Sequence, residues 1–264
     1  MKKLSFLAFI PGKLNYFSYK NLSQLKKNVN ANLHFGLLPW HDTEQKKINY
    51  FKRIYKPILL KKIYKPIYKN PVKKIKYPDN AGNTLGTLYM WESLRQSFIQ
   101  INNFYRYRKK KPDYIIRYRS DILPKNTFRL FEKHLFKNEI LIPDRYHWNG
   151  LNDQIFIISF SDIKLFFDLD KSIKKFIKED RFFCSEFFFQ QFLKHKEIKI
   201  KYSKFDYNLM RFKNFKKISK EIKSEMKFSD KILCKYNKLK YRFRNFNSYY
   251  IKRKYPNKNQ EKII

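Results

Sequence analysis

Residues 112–121 read Pro-Asp-Tyr-Ile-Ile-Arg-Tyr-Arg-Ser-Asp, a short apolar run that breaks abruptly into Arg117, Arg119 and Asp121. An apolar run of that length leaves no polar face and reads as a buried strand of a parallel sheet. Charged residues packed at its carboxyl end fall where open α/β sheets bind their ligands. Arginine forks suit phosphate oxygens, and a carboxylate beside them suits the divalent cation that a diphosphate carries. A strand end closed by a surface salt bridge accounts for the same residues.

Elements on either side fit a layered fold. An apolar run at 4–10 reads as a first strand, ended by the turn dipeptide Pro11-Gly12. The short run and the absence of a small-residue cleavage site argue against a secretory leader there. A helix is expected at 21–29, from the spacing of Leu22, Leu25 and Val29, and a second strand at 32–38. The lysine-rich segment 46–78, broken by Pro57, Pro66, Pro71 and Pro78, reads as loop and short extended pieces. Its near-repeat of Ile-Tyr-Lys-Pro-Ile, at 54–58 and 63–67, has too few copies to signal a repeat architecture. Met90, Leu94, Phe98, Ile101 and Tyr105 share one face of a helix over 83–107, which delivers the chain to the strand at 113–118.

Further strands are expected at 140–142, 153–160 and 198–202, with Ser161 as the N-cap of a helix opening at Asp162 and another helix at 185–194. Helix then buried strand, repeated, is the rhythm of a parallel sheet. The fold class is therefore α/β: one domain over 1–212 with a mostly parallel central sheet flanked by helices. Beyond it, 213–264 reads as a basic, partly helical tail in which acids thin out and periodicity weakens.

The chain carries 60 Lys+Arg against 22 Asp+Glu, a formal net charge of +38 that attracts polyanions. With 27 Phe and 20 Tyr able to stack on bases, nucleic acid is the first partner this suggests. The excess is spread along the whole chain, however, and accompanies abundant Lys, Asn, Ile, Phe and Tyr with only 5 Gly. AT-rich codons produce that joint bias, so the charge is discounted as a sign of function. As a physical property it still favours anionic membrane surfaces and non-specific RNA contact. Two cysteines, Cys184 and Cys234, make neither a disulfide framework nor a metal cluster, which fits a reducing compartment. No apolar stretch approaches a membrane span.

Most familiar chemistries find no residues here. The five histidines (His34, His41, His134, His147, His195) lack ligand spacing, and no glycine-rich phosphate loop or serine elbow is present. Acids at element ends remain: Asp121, Asp144, Asp153 and Glu186. Asp153, in the loop Asn149-Gly-Leu-Asn-Asp-Gln154, suits orienting or deprotonating an acceptor hydroxyl, though Asn152 and Asp153 also make turns readily. Glu186 suits a first-turn acid stabilised by a helix N-terminus. The phenylalanines at 182–183 and 187–189 read as core.

Taken in order, these segments resemble a family of bacterial and viral glycosyltransferase-like proteins of the lipopolysaccharide or capsule type, with a GT-A-like (Rossmann-type) nucleotide-sugar fold. The resemblance runs through Ala8-Phe-Ile-Pro-Gly-Lys-Leu14, Ile54-Tyr-Lys-Pro57, Thr84-Leu-Gly-Thr-Leu-Tyr-Met-Trp91, Asn152-Asp-Gln-Ile-Phe156 and Ser185-Glu186. Its sharpest match is Asp113-Tyr-Ile-Ile-Arg-Tyr-Arg-Ser-Asp121, and it covers about 1–212. It implies a metal-dependent glycosyltransferase that moves a sugar from a nucleotide-diphospho-sugar to a glycan or lipid-linked acceptor. Asp121 then takes the place of the family's metal-binding aspartate for Mn²⁺ or Mg²⁺, although Arg119 stands where that motif has its first acid. Gly12, Lys13, Arg117 and Arg119 bind the donor, while Asp153 and Glu186 serve catalysis. The implied location is cytoplasmic, peripheral on the inner face of the membrane. The runner-up is a basic nucleic-acid-binding protein without activity. A metal-dependent nuclease, suggested by Glu197-Ile-Lys199, and a transferase that has lost its activity are further readings.

Overall fold

The structure is a computed structural model that describes residues 4–14, 25, 32–65, 84–119, 122–124, 137–144, 151–178, 185–203, 205 and 207–209, all within one compact unit. Strands β1 (Ser5–Gly12) and β2 (Asn32–Pro39) lead to helix α1 (Gln45–Tyr55) and the two-residue β3 (Leu59–Leu60). Helix α2 (Thr84–Tyr105) precedes β4 (Tyr114–Arg117), β5 (Ile122–Pro124), β6 (Glu139–Pro143) and β7 (Phe156–Ser159). A 3-10 segment (Phe160–Phe166), α3 (Leu169–Lys178), α4 (Ser185–His195), β8 (Lys199–Ser203) and β9 (Tyr207–Leu209) complete the series.

Seven strands form one sheet in the order β3-β2-β1-β4-β7-β6-β8, in which β7 alone runs against the others. A separate antiparallel pair joins β5 to β9. The α/β class and the mostly parallel sheet flanked by helices are as the sequence predicts. Because side chains alternate across a strand, each strand feeds two cores. Leu7, Phe9, Ile115, Ile140, Ile142, Phe156 and Ile158 pack on one face with α2, α3 and α4. Phe6, Ala8, Ile10, Ile116, Leu141 and Ile157 pack on the other with Phe51 and Tyr55 of α1, Leu25 and Tyr207. Burial on both faces is why these strands are apolar runs rather than alternating ones.

Helix α2 lies across the first face with Leu88, Trp91, Leu94, Phe98, Ile101 and Tyr105 buried at helical spacing; Met90, expected on that face, is only half buried. Helix α1 corrects the expectation of loop at 46–78. Ile48, Phe51 and Tyr55 form its buried stripe, and Lys56 ends it at φ 42° just before Pro57. The prolines therefore follow the helix instead of breaking it, while residues 66–78 lie outside the described set. The strand expected at 153–160 is shorter, its first residues being a buried loop. Ser159, not Ser161, caps the following turn: its side chain accepts from the Ser161 amide, and the turn is 3-10. Of the helix expected at 21–29 only Leu25 is described, helical and buried, and the tail at 213–264 lies outside the described residues.

Two predictions follow the packing. Phe98 touches Phe9 and Phe166 at ring separations of 5.2 and 4.8 Å, so Phe98→Ala opens a cavity between sheet and helix. Its expected cost is about 3–5 kcal/mol in urea unfolding.

Asp162 is buried, and its Oδ2 accepts from the Asn138 amide at 2.9 Å. Burial pushes its carboxyl above the usual range, against the Asn138 amide and Ser161 hydroxyl, which lower it. The folded chain thus binds the proton more tightly, and stability falls as pH rises from about 4 through the raised value. Asp162→Asn lacks that penalty, so its melting temperature is expected to gain on the native chain across the same window. A variant that loses ground instead shows the charged form to be the favoured one.

Candidate functional site

Connections β1→β2→β3 build the sheet in one direction, and α2 then carries the chain back to place β4 on the other side of β1. The crevice outside the carboxyl ends of β1 and β4 is therefore the topological switch point, where open α/β sheets take ligands. Pairing of Phe9 with Arg117 sets the two strand ends level, and the Tyr118 amide donates to Phe9 O at 3.0 Å. Gly12 closes β1 at φ 76°, a conformation that favours glycine. A Cβ there would come within 3.1 Å of the Trp40 indole nitrogen and 3.3 Å of Ser93 Oγ. Trp40 Nε1 donates to Ser93 Oγ at 2.7 Å, and that hydroxyl donates to Tyr89 O at 2.6 Å, so the end of β2 is pinned to α2 beside Gly12. Lys13 follows as an exposed side chain.

At the end of β4, Arg117 is 1% exposed, with its guanidinium carbon 5.8 Å from the Phe156 ring centre, and Arg119 is half buried. Arg117 pairs with Phe156, so the antiparallel β7 begins beside it. The loop Leu151–Ile155 that leads into β7 thus reaches the carboxyl edge of the parallel strands. Asn152, Asp153 and Gln154 are buried in it. Asn152 Oδ1 accepts from the Gln154 amide at 2.9 Å, the turn-making role its residue type favours. Asn152 Nδ2 donates to the Tyr207 hydroxyl at 2.8 Å, which donates to Gln154 Oε1 at 2.9 Å.

Asp153, 3% exposed, accepts from the Ser185 hydroxyl at the first turn of α4, while the Leu151 amide donates to Glu186 O at 3.0 Å. Glu186 is half buried in that turn. The structure thus brings Asp153 to the start of the helix that bears Glu186, and lays Arg117 next to their loop. Asp144 is exposed after β6, its amide bonded to Ser203 O. Asp121 lies outside the described residues.

Sequence reasoning gave no site role to Tyr207, Trp40 or Ser93, and read Ser185 only as a helix start. Nothing local marks Tyr207, which is one of 20 tyrosines and lies 53 residues from its partner Gln154. Among the described residues no group of three His, Cys, Asp or Glu could hold a metal ion. No described helix is long and apolar enough to cross a membrane.

No family model matches the sequence, and no curated protein matches it. Among solved structures, the chain is similar to the glycosyltransferase GlyE of Streptococcus pneumoniae, at 15% identity and a TM-score of 0.42 over 76% of this chain and 45% of that one. It is also similar to an active-site mutant of LgtC, at 12% identity and a TM-score of 0.43 over 75% and 72% of the two chains. Mouse xyloside xylosyltransferase 1 gives 12%, 0.39, 76% and 84%. The chain spans less than half the length of the GlyE structure.

The hydroxyl of Tyr207 serves two buried amide side chains at once. Tyr207→Phe is expected to cost about 1–3 kcal/mol, the loss when buried polar groups give up a partner. In urea unfolding this appears as a lower midpoint at unchanged slope. Tyr64→Phe, at a position 76% exposed, is expected to leave the midpoint alone.

Proposed function

We propose that the chain is a glycosyltransferase that moves a sugar from a nucleotide-diphospho-sugar to a glycan or glycolipid acceptor of the lipopolysaccharide or capsule type. One observation carries the reading: at the switch point, Gly12 and the Arg117–Arg119 pair end adjacent strands, and the Asp153 loop lies against Arg117. The sequence resemblance, strongest over 113–121, supports it independently of that geometry.

In this reading the donor diphosphate lies across the ends of β1 and β4. Gly12 lets the backbone approach it, and Arg119 and Lys13 contact its oxygens. Arg117 is too deep for such a contact, so it acts through space, where low dielectric strengthens its field on the departing diphosphate. The bond from the sugar's anomeric carbon to the phosphate oxygen breaks, the diphosphate leaves with the electron pair, and the acceptor oxygen bonds to that carbon. Asp153, almost as deeply buried as Arg117, accepts from the half-buried Ser185 hydroxyl, and through that hydroxyl it orients the acceptor or, in an inverting transfer, takes its proton. Glu186 stands at the first turn of the same helix and contributes negative charge beside the acceptor. Asp121, outside the described residues, would hold a Mn²⁺ or Mg²⁺ ion, which would supply Lewis-acid stabilisation of the leaving group. The domain occupies 1–212, with the basic tail outside it.

The test is a thermal-shift titration with UDP-, GDP-, CMP- and dTDP-sugars, with and without Mn²⁺. A donor at a hundred times its Kd stabilises by about 2.7 kcal/mol, on the order of 5–10 °C for a domain this size. One nucleotide class is expected to give this shift, and Arg119→Gln and Asp121→Ala to reduce it. With the donor so identified, Asp153→Asn is expected to lower kcat by about 10²-fold or more with the shift retained. No shift with any donor, beside a large salt-sensitive shift with RNA, overturns the reading in favour of nucleic-acid binding.

A further inference from the structure

The sheet's amino edge carries a feature that the transfer reading does not use. Between α2 and β4 the chain runs Arg106-Tyr-Arg-Lys-Lys-Lys111, five cations in six residues, every one of them exposed. Tyr107 stands among them at 86% exposure. The loop is fixed at its base. The Asp113 carboxylate accepts from the Ser5 amide at the start of β1, at 2.8 Å, and the Phe160 amide donates to Asp113 O at 3.0 Å. Asp113 is thus engaged with backbone, and among the described residues no carboxylate holds any of the five cations.

We propose that this loop docks the protein on an anionic lipid bilayer. Clustered Lys and Arg are drawn to the negative potential of acidic headgroups, and an exposed tyrosine suits the headgroup level with its ring inward and its hydroxyl wet. The local geometry separates a bilayer from a single-stranded nucleic acid, which needs open aromatic faces on which bases stack. Here the rings already hold cations. The Arg108 guanidinium lies 3.9 Å from the centre of Phe104, that of Arg106 lies 5.4 Å from Tyr107, and Lys111 Nζ lies 6.0 Å from Phe160. Phe104 and Phe160 are half buried beneath their cations, so Tyr107 is the one exposed ring in the loop, where a platform for successive bases offers several. The uniform basicity of the chain does not make this site: the loop differs in having its charges contiguous, solvent-facing and gathered around one exposed ring.

The experiment uses the full chain, since its overall charge must be controlled rather than removed. Sedimentation with vesicles of phosphatidylcholine alone, and of phosphatidylcholine with phosphatidylserine at two to one, compares three proteins. They are the native chain, a loop variant (Lys109→Gln, Lys110→Gln, Lys111→Gln) and an equal-charge control at exposed positions elsewhere (Lys52→Gln, Lys61→Gln, Lys62→Gln). At about fivefold per cation near the surface, the loop variant is expected to lose on the order of a hundredfold in partitioning to the acidic vesicles. The control is expected to stay within a few-fold, and all three to melt alike. Tyr107→Trp is expected to shift its emission to the blue on acidic vesicles only. Equal losses in loop variant and control overturn the proposal, as does an unshifted Tyr107→Trp emission on bound protein. Undiminished vesicle binding by the loop variant, with a specific loss of affinity for single-stranded RNA, overturns it in favour of a nucleic-acid surface. None of these outcomes depends on whether the crevice transfers sugars.

Discussion

The parallel pairing of β1 with β4, from Phe6 opposite Tyr114 to Phe9 opposite Arg117, decides what can stand at the carboxyl edge of this molecule. Sheet order turns on it, because α2 must recross the sheet to bring β4 to that side of β1. It sets Gly12 and Arg117 at adjacent strand ends, and it presents the far edge of β4 to the antiparallel β7. From that second pairing follows the position of the Asn152–Gln154 loop, since a strand running the other way begins where its neighbours end. A one-residue slip in β1–β4 would exchange Ile115 for Ile116 between the two cores and turn each strand's buried set to the wrong face. The packing of the sheet thus enforces the geometry of the crevice.

Polar groups at that edge are held in a particular way. Asn152, Asp153 and Gln154 lie within an apolar environment, and an amide or carboxylate there is tolerable only with partners. Tyr207 and Ser185 provide them, one from β9 and one from the first turn of α4. Two distant parts of the chain thereby fix one short loop, and the cost of breaking a buried polar bond makes the loop rigid. In the proposed transfer such rigidity would matter, because a carboxylate acts on a hydroxyl only at hydrogen-bond reach. In the proposed transfer, the same burial would limit Arg117 to an electrostatic role and leave contact with phosphate oxygens to the more accessible Arg119 and Lys13.

Strands buried on both faces are legible because burial forces continuous apolar runs, and those at 4–10, 32–38 and 140–142 all stand close to where the sequence puts them. Helix α2 is legible for the matching reason that its stripe repeats at helical spacing across a long segment. Helix α1 was not: Ile48, Phe51 and Tyr55 are three residues in a lysine background, and the prolines that suggested a loop come after the helix has ended. At 153–160 burial was mistaken for strand, since a buried polar loop and a buried strand leave the same apolar neighbours. The cap fell on Ser159 because both serines offer a hydroxyl, and only backbone geometry decides which amide it meets. At the crevice, Arg117, Arg119, Asp153 and Glu186 stand out in the sequence by their charge, Asp121 lies outside the described residues, and the partnerships of Tyr207, Ser185 and Trp40 were not legible. Their roles come from tertiary contact, which leaves no local spacing to read.

The two edges of the sheet constrain each other. The basic loop sits at the amino edge and the crevice at the carboxyl edge, with the eight residues of β1 between them. At about 3.3 Å per residue, β1 spans roughly 25 Å. With its strands along the bilayer normal, a protein resting on lipid through Tyr107 and its neighbouring cations would hold its crevice about that far above the headgroups. In that orientation a sugar attached directly to a lipid anchor would fall short of the Asp153 loop. An acceptor already carrying several sugars would reach it, its growing end standing clear of the surface. The docking proposal and the transfer proposal therefore select together for extension of an existing glycan over priming of a bare lipid.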